Sequence, residues 1–156
     1  MVRRPVIAAL IAAALTVSAA GCERRANPDF TPIEPPAVGG PAVRIRPGGM
    51  TSEVDLVVGQ TLAVELDTHF NWREESAPTL LRQIDTLWGP ADRATRDEGV
   101  TGGRYWTVFV YRAEREGEET LRLIEAREWE PETITDRHTL SVRVRARADE
   151  AQPPAP

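Results

Sequence analysis

The sequence is poor in the residues from which most catalytic and metal sites are built. Among its 156 residues there are one cysteine and two histidines. A single cysteine excludes a disulfide within the chain, and neither His69 nor His138 has a cysteine or carboxylate at a spacing that specifies a metal site. The motif G-x-S-x-G, the P-loop and the paired-glycine dinucleotide motif are also missing. The sequence therefore predicts a protein that is not an enzyme and needs no cofactor.

Positive charge is in short supply as well. The chain has 24 acidic residues against 19 basic ones, a net charge of -5. Loss of residues 1–21 would remove two arginines and no acid, which leaves a net charge of -7. Such a surface disfavours binding to nucleic acid or to anionic lipid. The many glutamates between 114 and 132 alternate with arginines, which is typical of a solvated face.

The first 21 residues have the pattern of a cleaved export signal. Met1–Arg4 is basic, and the apolar stretch that follows is short, rich in alanine and closed by small residues. The lone Cys22 comes directly after it, in a position that resembles the lipobox of bacterial lipoproteins. We expect acylation of Cys22; the alternative is an unmodified thiol behind an ordinary secretory signal. Since Glu23 follows, the resemblance implies a periplasm-facing outer-membrane anchor, and membrane attachment would depend on the acyl chains.

Composition divides the rest of the chain into three parts. Residues 22–41 are dense in proline and glycine, which predicts an extended tether between the membrane and the domain. Residues 148–156 predict a frayed tail. The intervening residues 42–147 are enough for one hydrophobic core but hardly for two. We therefore expect a single domain between a tether and a tail, with an edge strand already at 42–46.

Alternating apolar and polar residues predict that this domain is mainly β. The alternating runs are 54–58, 62–66, 105–111, 121–123 and 140–144. Turn signals at Gly59, Gly102-Gly103 and Gly117 separate them, and several short strands of this kind favour an antiparallel β-sandwich.

One stretch has a different period. Its large apolar residues recur at i, i+1, i+4, i+7 and i+8, and Gly89-Pro90 would stop a helix there. These residues are Leu80, Leu81, Ile84, Leu87 and Trp88. The spacing predicts one short amphipathic helix over residues 77–88, packed on the sandwich.

The segment "TGGRYWTVFVYRAEREGEETLRLIEAREWE", residues 101–130, resembles the chagasin-like family of cysteine protease inhibitors. That family has a glycine-rich loop, an aromatic strand ending in aromatic-x-Ala, a turn glycine, a strand with alternating leucines, and then Arg-Pro-Trp or Arg-Pro-Phe. The matching residues are Gly99, Gly102, Gly103, Trp106, Tyr111, Ala113, Gly117, Leu121, Leu123, Arg127 and Trp129. Upstream, "VGQTLAVEL" is similar to the family's opening strand, and Trp72 occupies the place of its tryptophan after the first loop.

The resemblance implies a binding protein. It also implies the family's fold, an immunoglobulin-like antiparallel β-sandwich, in which three loops at one end fill the active-site cleft of papain-like cysteine proteases. Carried over by position, the contacts would come from segments 67–71, 99–104 and 126–131. The implied protease-binding residues are Thr68, His69, Phe70, Gly102, Gly103, Arg127 and Trp129. Tryptophan and arginine are common buried anchors in interfaces, and the two glycines would allow close backbone approach.

Two differences from the family keep a second hypothesis open. Between Leu66 and Trp72 the chain has only "DTHFN", where the family has a longer loop with Asn-Pro-Thr-Thr-Gly. Glu128 stands in place of the proline between Arg127 and Trp129, so the loop loses a fixed φ and gains a charge. The alternative is an envelope lipoprotein with a scaffolding or assembly role, in which Trp129 only covers the open end of the sandwich. In both cases we expect Trp72 and Trp106 to be core residues.

Overall fold

A computed structural model of the chain describes residues 28–47, 51–99 and 102–147. The predicted export signal, Cys22 and the predicted tail from 148 lie outside the described residues. Within the described ranges the chain forms eight strands and one helix. They are β1 (Ala42–Ile45), β2 (Thr51–Val57), β3 (Thr61–Thr68), β4 (Asn71–Glu74), β5 (Leu81–Pro90), α1 (Arg93–Glu98), β6 (Tyr105–Ala113), β7 (Gly117–Arg127) and β8 (Glu130–Arg145).

The strands build two four-stranded sheets that face each other. Sheet I has the order β1-β3-β6-β5 and sheet II the order β2-β8-β7-β4. The predicted sandwich with one short helix is therefore confirmed. Most neighbouring strands are antiparallel, but β1 runs parallel to β3 and β2 parallel to β8. Each sheet thus has one parallel edge. Alternating apolar and polar residues do not distinguish parallel from antiparallel pairing, because a strand with one exposed face shows the same alternation in both.

The core lies between the sheets, and the alternating residues of both sheets fill it. Tyr111 is fully buried, and its hydroxyl donates a hydrogen bond of 2.9 Å to Glu74. Burial, reinforced by the Glu74 carboxylate, raises the pKa of the Tyr111 hydroxyl far above its usual range, so it remains a donor. Trp72 is buried as expected and stacks on His138 at 5.2 Å between ring centroids. The largest buried side chains besides Tyr111 are Leu56, Leu62, Leu66, Leu121, Leu123 and Leu140.

The helix predicted at 77–88 is wrong, because Leu81–Pro90 is strand β5, paired antiparallel with β6. A β-bulge between Gln83 and Asp85 shifts the alternation by one residue. Leu81 faces the core and Leu87 packs on the opposite face of the sheet, so both faces of β5 carry apolar residues. Together these two effects imitate the helical period.

The short helix of this protein lies further along the chain. In α1 the carboxylate of Asp92 accepts a hydrogen bond from Thr95 N at 2.7 Å, and Gly99 ends the helix with a φ of 60°. In the described part of the chain no helix is both long and apolar enough to cross a membrane.

Residues 28–41, part of the predicted tether, cross the outer face of sheet I, and we call them the strap. The Ile33 N–H donates to Ala91 O at 2.8 Å, and the Trp106 indole N–H donates to Ile33 O at 2.7 Å. Val38 packs on a second apolar cluster of Ala63, Val108 and Val110. Trp106, expected in the core, therefore lies on the outer face beneath the strap.

The strap starts beside α1 and runs toward the opposite end of the sandwich. Ala94 N donates to Asp29 O at 2.6 Å, so the strap occupies orphan amides at the start of the helix. Further along, a Cβ on Gly89 would lie only 2.9 Å from Pro36 Cγ, which shows how closely the strap approaches β5. The strap thus acts as a third layer that shields the outer apolar face of sheet I.

We expect Val38→Asp to lower the free energy of unfolding by about 1–3 kcal/mol, because it places a charge against an apolar cluster. Ala37→Asp is the matched control, since Ala37 is exposed in the same segment. Urea denaturation of both variants measures the difference. Equal stability of the two variants would show that the strap does not contribute to the fold.

Candidate functional site

Three connections lie at one end of the sandwich. Loop 1 (residues 69–70) joins β3 to β4, loop 2 (residues 99–104) joins α1 to β6, and loop 3 (residues 128–129) joins β7 to β8. Thr68, the last residue of β3, pairs with Tyr105, the first residue of β6, which places loops 1 and 2 side by side. Asn71 pairs with Ala126, which brings loop 1 to loop 3. Residues 100 and 101 of loop 2 lie outside the described residues.

A buried carboxylate fixes loop 1. Glu125 is 5% exposed, and its Oε1 accepts hydrogen bonds from the backbone N–H groups of His69 at 2.7 Å and Phe70 at 2.8 Å. Its Oε2 accepts a third bond, of 2.9 Å, from the Thr135 hydroxyl on β8. A carboxylate that binds two successive amides determines the path of a two-residue loop almost completely. Glu125 therefore joins loop 1 to the β7–β8 hairpin from the inside.

Aromatic side chains join loops 1 and 3 on the outside. The rings of Phe70 and Trp129 meet edge to face, with centroids 6.0 Å apart and an angle of 82°. The Arg127 guanidinium lies 5.2 Å from the Phe70 ring centroid and donates a hydrogen bond to Glu130 at 3.1 Å. Trp129 is nevertheless 70% exposed. We call Phe70, Arg127 and Trp129 the tip cluster, in which half-buried Phe70 and Arg127 hold an exposed Trp129 in a preordered position.

Arg104 fixes the end of loop 2 that leads into β6. Arg104 forms an ion pair with Asp67, which precedes loop 1 by two residues. The Arg104 carbonyl accepts from Ala91 N at 2.9 Å, and its amide donates to Thr95 Oγ1 at 3.2 Å. Gly102 is exposed and has a φ of 74°, a conformation that costs glycine little. Loop 2 therefore offers a backbone surface flanked by fixed ends.

The predicted site residues fall into two groups. His69, Phe70, Gly102, Gly103 and Trp129 lie in the three loops, and Arg127 ends β7 directly before loop 3. Thr68 is different, because it is 4% exposed and its hydroxyl lies 2.7 Å from that of the buried Thr107. Its side chain supports the base of loop 1 and does not reach the surface. The role of the exposed residues in binding stays a prediction.

Sequence reasoning missed the residues that hold the loops together. Position 125 has the same strand parity as Leu121 and Leu123, and an acid at such an inward position is a signal for a buried hydrogen-bonded group. Nothing in the sequence pairs Asn71 with Glu128, yet the Asn71 amide donates to that carboxylate at 2.5 Å. Glu128 thus replaces the family's proline with a side-chain link between loops 1 and 3.

In the described ranges, no group of three or more His, Cys, Asp or Glu residues is arranged to hold a metal ion. The one buried carboxylate at the site, Glu125, is saturated by backbone and hydroxyl donors. What the arrangement offers is an exposed apolar tip on a rigid frame, which is the chemistry of a binding surface.

Comparison with solved structures identifies the architecture. The cysteine protease inhibitor EhICP2 from Entamoeba histolytica superposes with a TM-score of 0.56 at 16% identity, covering 68% of this chain and 100% of that one. The solution structure of amebosin gives a TM-score of 0.50 at 18% identity with the same coverage. PbICP-C in complex with falcipain-2 gives 0.42 at 14% identity, covering 67% of this chain and 98% of that one.

The fold is that of the chagasin-like cysteine protease inhibitors. The predicted resemblance is confirmed at this level. At these identities the likeness concerns the fold alone. By sequence, neither a family model nor a curated protein matches the chain. What the loops bind therefore has to be argued from their own geometry.

We expect Glu125→Ala to lower the free energy of unfolding by roughly 2–4 kcal/mol, because the two amides of loop 1 lose their charged acceptor and the Thr135 hydroxyl loses a partner. Hydrogen exchange at the amides of residues 69 and 70 should accelerate in the same variant. Glu132→Gln, a change at an exposed acid on the same hairpin, should leave both observables unchanged.

Glu125→Gln retains one acceptor oxygen and should fall between the wild type and the alanine variant. Unaltered exchange at residues 69 and 70 in Glu125→Ala would contradict the role assigned to this carboxylate.

Proposed function

We propose that this protein inhibits papain-like cysteine proteases by inserting the end of the sandwich that carries loops 1 to 3 into the active-site cleft. The observation that supports this most directly is the preordered tip cluster of Phe70, Arg127 and Trp129. Its rings meet at 6.0 Å, while Trp129 remains 70% exposed. It acts as a binding protein and carries out no reaction of its own.

Rigidity favours this function. A loop whose amides are already bound to Glu125 has little conformational entropy left to lose when it docks. Loops 1 and 3 are each flanked on both sides by paired strands, so the tip can enter a narrow cleft without bending. An exposed tryptophan beside an arginine provides the residue types that most often dominate binding energy.

In this proposal, the contribution of each loop to binding follows from its length and position. Loop 1 has two residues and cannot reach far into a cleft, so its contribution is the Phe70 ring and the exposed His69. Loop 3 projects further, because Trp129 sits at the turn of the long β7–β8 hairpin. Loop 2 contributes glycine backbone on the other flank. Trp129 therefore provides the main anchor in this proposal.

A second candidate function is a scaffolding role in the cell envelope without protease affinity. The short loop 1 favours it, since an inhibitor of this fold needs an element that lies across the catalytic cysteine. The exposure of Trp129 favours the first candidate. A side chain that only closed the end of the sandwich would be covered by its neighbours, whereas this indole faces solvent over 70% of its surface.

We expect the purified full chain to inhibit papain, and Trp129→Ala to weaken inhibition by about tenfold or more, since central interface tryptophans commonly contribute at least that much. Stability should change little because the indole is exposed. Ile84→Ala is the control, as Ile84 is 45% exposed on β5 away from the loops. The inhibition constant with a fluorogenic peptide substrate measures the effect.

No inhibition of papain at tens of micromolar by the wild-type chain would leave the scaffold as the function. Hydrolysis of the substrate by the purified chain would contradict both candidates.

We further propose that Cys22 is acylated and anchors the protein to the outer membrane, facing the periplasm. The lone cysteine directly after an apolar segment that ends in small residues supports this. Two or three acyl chains would provide stable attachment, since each buried CH₂ contributes about 0.8 kcal/mol. The acidic surface would contribute nothing to it.

Cys22→Ser should move the protein from the detergent phase to the aqueous phase in detergent phase partitioning and abolish labelling by a radioactive fatty acid. A wild-type chain that partitions into the aqueous phase and carries no label would refute the anchor. This result would leave the inhibition proposal untouched, because the loops lie in a different part of the chain.

A further inference from the structure

Strand β5, an edge of sheet I, exposes aromatic surface next to the loops. Trp88 is 54% exposed and Tyr105, on the neighbouring β6, is 39% exposed. Trp88 pairs with Thr107 and Pro90 pairs with Tyr105, and directly opposed residues point to the same side of a sheet. Thr107 is fully buried on the core side. Trp88 therefore points to the core side of sheet I, yet 54% of its surface faces solvent.

Pro90, two residues after Trp88 on β5, points to the same side of the sheet as Trp88 and Tyr105. We call Trp88, Pro90 and Tyr105 the edge patch.

The edge patch continues the loop surface. Tyr105 is the residue after Arg104, where loop 2 ends, and it pairs across the sheet with Thr68, after which loop 1 begins. Trp88 lies diagonally across from Tyr105, within reach of a large side chain. One face of the molecule therefore carries the three loops at the end and the edge patch immediately below loops 1 and 2.

We propose that the edge patch is a second contact for the protease bound by the loops, packing against apolar surface on the rim of the cleft. This inference rests on the proposed function. Tryptophan and tyrosine on a rigid strand bind with little loss of side-chain entropy. The outer edge of β5 also presents backbone N–H and C=O groups that a strand or extended segment of the partner can pair with.

Size distinguishes this occupant from a second copy of the chain. A stable dimer buries about 800 Å² on each partner, whereas one aromatic side chain buries about 150–250 Å². Two aromatics and a proline are too small for a dimer interface, but they suffice to enlarge a contact that the loops have already begun. A copy docked on the edge patch would also lie against loops 1 and 2 and compete with the protease.

The test measures the dissociation constant of the full chain with a catalytically inactive papain whose active-site cleft is unoccupied. Trp88→Ala should weaken binding about tenfold, and Tyr105→Ala should weaken it about fivefold, as for aromatic contacts at interfaces. Ile84→Ala is the matched control: it is also exposed on β5, but lies four residues further from the loops, about 13 Å along the strand. It should bind within twofold of wild type.

Trp129→Ala separates the two proposals. If it weakens binding while Trp88→Ala and Tyr105→Ala stay within twofold of wild type, the edge patch is not a contact and the proposed function stands. Absence of binding by the wild type would remove both. A wild-type dimer in sedimentation that Trp88→Ala dissociates would assign the patch to a second copy and overturn the inference. Circular dichroism melting shows that each variant remains folded.

Discussion

The loop-bearing end of this protein depends on one buried carboxylate. Glu125 accepts hydrogen bonds from both amides of loop 1 and from Thr135, so a single side chain connects β3, β4, β7 and β8 where the sandwich ends. A buried acid without such partners would be strongly destabilising. These hydrogen bonds all come from loop 1 or from the β7–β8 hairpin. The free-energy cost of burying the charge is therefore offset only when both are in place. Folding and arrangement of the loops are therefore one process.

The other flank of the same end is organised by backbone rather than by charge. The strap binds the first amides of α1, and Trp106 on β6 bonds to the strap at Ile33. Loop 2 leaves α1 and enters β6, so both of its ends are fixed by contacts with the strap or with residues next to it. A segment whose composition suggests a spacer thus helps to hold loop 2 in place. Its proline content suits this task, since an extended chain with few N–H groups can lie across a sheet face without leaving donors unsatisfied.

The sequence predicted the frame well because alternation is a direct consequence of one buried face. The runs at 62–66, 105–111, 121–123 and 140–144 are strands, and the loops between them converge as the family resemblance implied. The prediction failed for β5. There the bulge at Gln83/Asp85 and the apolar residues on both faces of the strand together produced the spacing of a helix. The buried position of Glu125 was not predicted because many exposed acids surround it in the sequence. The packing of the strap was not predicted because composition indicates flexibility and does not show which surface a segment packs against.

The shortness of loop 1 changes how an inhibitor of this fold can work. A long loop supplies contact area through its own backbone and loses entropy when it becomes ordered. A two-residue loop with both amides bound loses little, but it brings little area. The missing area has to come from side chains that are already positioned, and at this end of the chain those are Phe70 and Trp129, braced by Arg127. Exposed aromatics just below the loops, on β5 and β6, extend the same surface. The short, rigid loop extends less far than a long one, but the exposed aromatics around it make the contact surface wider. In the proposed role, a partner that fits this surface needs an apolar rim as much as a deep cleft.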